Sequence, residues 1–125
     1  MKIPDGGRLA FLAIFVFAPL AANAQQGQQQ FADLGSCQLV SGRQIDHCRL
    51  GYRTWGALNA ARSNAVLFPT WFSGISANLA DSVGANSLVD PAKYFVIAVD
   101  ALGDGVSSSP SNSATQHGPD FPAFT

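Results

Sequence analysis

Apolar residues fall along this chain in three rhythms: one long run near the start, a stretch of strict alternation, and two short continuous runs. The short runs are the most informative. Ala65-Val66-Leu67-Phe68 lies between Asn64 and Pro69, and Tyr94-Phe95-Val96-Ile97-Ala98-Val99 follows the turn-forming Asp90-Pro91-Ala92-Lys93. Continuous apolar runs of this length, bounded by turn residues, predict strands buried on both faces. Pro69 has no N–H for a ladder and is expected to end the first strand. Between the strands, Ser76 is placed to cap a weak helix from about Asn78 to Asn86, with Leu79 and Val83 one turn apart. A crossover of that length predicts parallel strands joined right-handedly.

Upstream, Cys37-Gln38-Leu39-Val40 and Ile45-Asp46-His47-Cys48 flank Ser41-Gly42-Arg43-Gln44. Gly42 suits the first central position of a two-residue type II′ turn. With Gly42-Arg43 as the loop, Val40 faces Ile45 and Cys37 faces Cys48, within disulfide reach. The alternative is a pair of buried thiols. The second strand is expected to run on through Gly56, with Cys48, Leu50 and Tyr52 on one face and Arg49 and Arg53 on a solvated one. Arg49 and Arg53 then read as surface charges rather than substrate clamps, and His47 as a solvated side chain. An antiparallel hairpin followed by strand, helix and strand opens an α/β sheet. The Gly/Ser-rich loop from Asp100 to Ser113 leaves the same rim as Trp71 and Phe72, where open α/β sheets bind ligands. Those two aromatics either line such a site or merely cover the sheet edge.

The long apolar run belongs to a different element. Lys2 and Arg8 precede Leu9 to Leu20, and Ala22-Asn23-Ala24 fits a small-residue cleavage site, so residues 1–24 read as a secretory signal peptide. The run is shorter than the ~20 residues of a membrane span, leaving an uncleaved anchor as the competing reading. Residues 25–30 are a Gln-rich leader with nothing to bury, expected to be disordered, and residues 31–125 form the folded part. An exported location, periplasmic or secreted, also suits a disulfide.

Charge narrows the field little. The 125 residues carry a formal net charge of −1 and no Glu. No basic face points to nucleic acid, and no charge run points to a membrane once the signal is removed.

Candidate chemistry is sparse. Gly105-Val106-Ser107-Ser108-Ser109 resembles a nucleophile elbow only in part, because Ser109 stands where the second glycine belongs and Pro110 follows instead of a helix. Ser107 is therefore a poor nucleophile candidate. Asp100 at the end of a strand reads as a loop anchor, and His117 has no context pairing it with a serine. The sequence contains no phosphate loop, metal-spaced ligand set or paired carboxylates.

Two segments carry a resemblance. Tyr52 to Leu67 (Tyr-Arg-Thr-Trp-Gly-Ala-Leu-Asn-Ala-Ala-Arg-Ser-Asn-Ala-Val-Leu) and Asp90 to Ile97, followed by Ala101-Leu102-Gly103-Asp104-Gly105, are similar to the early region of the homoserine O-acetyltransferase branch of the α/β-hydrolase fold. The resemblance covers roughly Phe31 to the end. It implies the amino-terminal part of an α/β-hydrolase sheet, acyl transfer through a Ser-His-Asp triad, acetyl-CoA as donor, and a small ester or amino-acid-like acceptor; some members look like plain hydrolases. It also implies that the last strand lies between the second strand and Ala65–Phe68, which would leave the latter as a bare edge. Where the family usually reads His-Ala-Leu-Thr-Gly, this chain reads Thr70-Trp71-Phe72-Ser73-Gly74. Phe72 aligns with the leucine, making its backbone N–H the candidate oxyanion-hole donor, with Trp71 next. The family's nucleophile, acid and histidine have no counterpart here, so the expectation is an inactive amino-terminal fragment of an exported acyltransferase or hydrolase. The alternative is a small disulfide-stapled extracytoplasmic binding module using the Trp71/Phe72 rim.

Overall fold

A computed structural model describes residues 26–123; the expected signal peptide lies outside them. Six strands run in chain order: β1 (Gln30–Asp33), β2 (Ser36–Gln38), β3 (Gln44–Asp46), β4 (Arg49–Trp55), β5 (Ala65–Pro69) and β6 (Phe95–Val99). Two 3-10 helices, Ser76–Ser82 and Gly118–Asp120, complete the elements. The main sheet has the order β1-β4-β6-β5, and β2 and β3 form a separate two-stranded sheet.

The parallel pair predicted from the two apolar runs is present, β5 against β6 from Ala65↔Phe95 to Pro69↔Val99. β4 runs antiparallel on the other side of β6, from Tyr52↔Val99 to Trp55↔Val96. This is the opening of a mixed sheet whose first strands are antiparallel. Val96 and Ala98, on the central β6, are fully buried.

β5 departs from expectation. It was predicted to be buried on both faces, but its residues alternate, and Leu67 is 67% exposed. The alternation shows that the face carrying Ala65 and Leu67 is left uncovered by the described residues, and β5, as the outermost strand, also has no described partner along its outer edge. An apolar strand in that place is a pairing hazard. Pro69 still belongs to the strand, opposite Val99, and ends it.

The ribbon before β4 also differs. Gln38 pairs with Gln44, so the turn is a five-residue connection rather than Gly42-Arg43 alone. Gly42 has a φ of 80°, and its N–H donates to the Leu39 carbonyl at 2.9 Å. The glycine thus follows a tighter turn instead of leading one, which leaves Val40 at the exposed tip. The expected single second strand breaks at His47, whose φ of 50° bends the chain between β3 and β4. Cys37 is the register partner of Ile45, not of Cys48. Left-handed Gly35 and His47 fold the ribbon instead, and Cys37 and Cys48 are disulfide-bonded with their Cα atoms 5.6 Å apart. The bridge packs with Ile45, Phe121, Leu39 and Leu102.

Two further corrections concern polar segments. Residues 26–30, expected to be free, are tied to β4: the Gly27 N–H donates to the Thr54 carbonyl, and the Gln30 amide to Thr54 Oγ1. Arg53 is half-buried rather than solvated, donating to Ser76 Oγ at 3.2 Å and to the Gly27 carbonyl. The glutamines find partners because β4 leaves a polar seam that their amides fit. The predicted helix is a 3-10 helix that starts earlier and is capped by Ile75, whose N–H donates to Asn78 Oδ1.

The disulfide closes a loop of separation 11, for which chain-entropy reasoning gives about 3 kcal/mol. Reducing it, or replacing both cysteines by serine, is expected to lower unfolding free energy by about that much, read from denaturant curves with and without reductant. Replacing Leu67 by Lys is expected to suppress self-association of the chain without lowering its melting temperature, read by sedimentation and thermal melts.

Candidate active-site cleft

A buried carboxylate organises the carboxyl end of the sheet. Asp100 follows β6 directly and is fully buried. Its oxygens accept from the Ser76 N–H, from Ser76 Oγ at 2.8 Å and from Gln29 Nε2 at 2.9 Å. Its own N–H donates to the Gly51 carbonyl at 2.9 Å. Gly51 must be glycine here: a Cβ would lie 2.7 Å from Asp100 Oδ2 and 2.9 Å from Val106 Cγ1. Ser107 completes the knot, its Oγ donating to the Asp100 carbonyl at 2.8 Å and accepting the Gly51 N–H at 2.9 Å. Asp100 is thus a loop anchor. Ser107 is fully buried, its hydroxyl donating to one backbone group and accepting from another.

This knot sets two loops side by side. The loop after β5 and the loop after Asp100 enclose a cleft of about 430 Å³, lined by Thr70, Trp71, Phe72, Ser73, Gly74, Ala101, Leu102, Gly103 and Asp104. The first loop is a tight turn: the Gly74 N–H donates to the Trp71 carbonyl at 2.9 Å, and Ser73 takes a φ of 62°. That positive φ at the third position is the type II pattern. Gly74 lets the Trp71 indole fold back over the backbone, since a Cβ there would meet its Cε2 at 2.7 Å. Phe72, at the turn's second position, is 98% exposed and Trp71 56%. No hydrogen bond among the described residues uses the Phe72 N–H.

The remaining candidates sit elsewhere. His47 and His117 are exposed, and neither imidazole bonds a serine among the described residues. Arg49, exposed and not among the cleft residues, stacks over the Phe31 ring at 4.1 Å. No group of three His, Cys, Asp or Glu among the described residues could hold a metal ion.

Two cleft residues had no signal in the sequence. Thr70 Oγ1 and Asp104 Oδ2 are buried side-chain oxygens without a hydrogen-bond partner, and both residues line this cleft. Thr70 is one hydroxyl among many, and Asp104 sits in a loop whose Gly/Ser content reads only as a turn.

No protein-family model matches the chain. It is 41% identical over 90 residues to a probable esterase of Corynebacterium glutamicum and 40% identical over 97 residues to an ethyl acetate hydrolase of Pseudomonas veronii. Over 106 residues it is 30% identical to a homoserine O-acetyltransferase of Saccharomyces cerevisiae. These alignments take in 71%, 76% and 78% of this chain but only 26%, 28% and 22% of the relatives. The chain thus spans about a quarter of the length of the curated relatives it matches. Among solved structures, an acetylester hydrolase from Corynebacterium glutamicum superposes with a TM-score of 0.74 at 38% identity, covering 79% of this chain and 29% of that one.

The fold is therefore that of the opening part of an α/β-hydrolase. Within that class the chain is a homologue of the esterases and homoserine O-acyltransferases, as the Tyr52–Leu67 and Asp90–Gly105 segments implied.

Replacing Ser107 by Ala is expected to cost 1–3 kcal/mol of stability, because the Gly51 N–H loses its buried acceptor. Denaturant unfolding of the two chains checks this. In the full-length protein, loss of ester hydrolysis without loss of stability would instead mark Ser107 as a nucleophile.

Proposed function

We propose that this sequence is the amino-terminal part of an exported carboxylester hydrolase, in which the Phe72 N–H, with that of Trp71 next, holds the oxyanion. The observation that carries it is the uncommitted Phe72 amide on the carboxyl rim of a parallel strand pair, lining a cleft, in a chain about 40% identical to two ester hydrolases. Attack on an ester carbonyl puts negative charge on its oxygen, and a preorganised N–H aimed there lowers the barrier. The donor is backbone, so the change from His-Ala-Leu to Thr-Trp-Phe leaves it in place. The second donor, the nucleophile and its base come from the further length that the relatives possess.

Water as acceptor fits better than acyl transfer from acetyl-CoA. The identity to ester hydrolases is higher than to homoserine acyltransferases, and no Lys or Arg lines the cleft to meet CoA phosphates. The export part of this reading rests on Met1–Ala24 being a signal peptide, and the Cys37–Cys48 bridge suits an oxidising compartment.

The 125-residue chain alone is expected to hydrolyse no p-nitrophenyl acetate above background, whereas the full-length protein does so. In the full-length protein, Phe72→Pro removes the N–H at a turn position that tolerates proline. It is expected to lower kcat by about 100- to 1,000-fold, while Phe72→Ala stays within tenfold of wild type. Equal rates for Phe72→Pro and wild type would refute the oxyanion role; acetyl transfer to homoserine without hydrolysis would refute the hydrolase.

A further inference from the structure

The cleft carries a charge that ester hydrolysis does not require. Asp104 Oδ1 accepts the N–H groups of Val106 at 2.8 Å and Ser107 at 3.0 Å, which fixes the plane of the carboxylate. Oδ2 is buried and unpartnered. No Lys, Arg or His lines the cleft, and the ion pair recorded among the described residues, Lys93 with Asp90, involves no cleft residue. The negative charge is therefore uncompensated by any ion pair within the described residues, and in a cleft whose aromatics are exposed to water its reach is moderate and screened by salt. The rings of Trp71 and Phe72 line the same cleft, exposed, and the cation–ring contact among the described residues, Arg49 over Phe31, involves neither. A carboxylate and two aromatic faces around one space favour a cation, most of all a quaternary ammonium, whose charge the ring faces attract without requiring hydrogen bonds.

We propose that Asp104 is a specificity residue that selects esters by the charge of their alcohol part, with esters of cationic amino alcohols preferred and anionic ones rejected, Trp71 and Phe72 supplying the aromatic wall. The inference rests on the esterase reading above. Hydrolysis itself is unchanged: water adds across the acyl C–O bond, and acetate and the alcohol leave. The carboxylate only biases which alcohol is held while this happens.

Three acetate esters of similar size test it on the full-length protein: acetylcholine, its neutral isostere 3,3-dimethylbutyl acetate, and anionic 2-acetoxyethanesulfonate. In wild type, kcat/KM is expected to fall in that order, with about a tenfold span or more from cation to anion. Asp104→Asn keeps an oxygen acceptor for Val106 and Ser107 and is expected to compress the span to about twofold. Raising the ionic strength compresses it in wild type as well, a readout that does not depend on the variant folding. Hydrolysis of all three esters at equal kcat/KM, insensitive to salt, overturns the charge selection and leaves the esterase standing. Hydrolysis of none overturns the esterase and this inference with it.

Discussion

The structure depends on one buried carboxylate. Asp100 sits where β6 leaves the sheet, and burying a charge there is costly unless its oxygens are satisfied. They are, by groups from two distant parts of the chain: Gln29 before β1 and Ser76 at the start of the 3-10 helix. The Asp100 backbone meanwhile binds Gly51 in β4 and Ser107 in the following loop. A single residue thereby sets the relative placement of β1, β4, β6, the first 3-10 helix and the Gly/Ser loop. Removing the Asp100 carboxylate would leave the buried Ser76 N–H without its acceptor, and removing the Ser107 hydroxyl would do the same to the Gly51 N–H.

The cleft is a by-product of that knot. Once Asp100 fixes where the Ala101–Ser113 loop departs and Ser76 fixes where the Thr70–Ile75 loop returns, the two must face each other across the carboxyl ends of β5 and β6. This is the position where open α/β sheets place their ligands. The type II turn at Trp71–Gly74 then leaves the Phe72 N–H without a partner and turns the Phe72 side chain outward, while the Trp71 indole lies against Gly74. A sheet that stops at β5 also leaves Leu67 bare. Exposed apolar surface at one edge and an unused amide at one rim go together with a chain that matches only a quarter of its relatives' length.

Backbone chemistry and side-chain chemistry are separable in such a site. The oxyanion donor is an N–H, so it survives the replacement of His-Ala-Leu by Thr70-Trp71-Phe72. Binding preference follows the side chains, and here these are two aromatics and a carboxylate. A shared fold with esterases and acyltransferases therefore speaks to the reaction type, while the lining residues speak to the substrate.

Local pattern was enough for much of the fold. The apolar runs at Ala65–Phe68 and Tyr94–Val99 read as strands with a crossover between them, and both form strands, the second from Phe95 onward. The Asp90–Lys93 turn was equally legible. What escaped was whatever depends on partners far away in sequence. The hairpin register turned on the backbone angles of Gly42 and His47. Arg53 and Gln29 became structural because β4 and Asp100 offered acceptors. Thr70 and Asp104 acquired meaning only when two loops, some thirty residues apart, closed around one space. Periodicity records which side of an element faces the core; it carries no information about which polar atoms will find each other, and that was decided by tertiary packing alone.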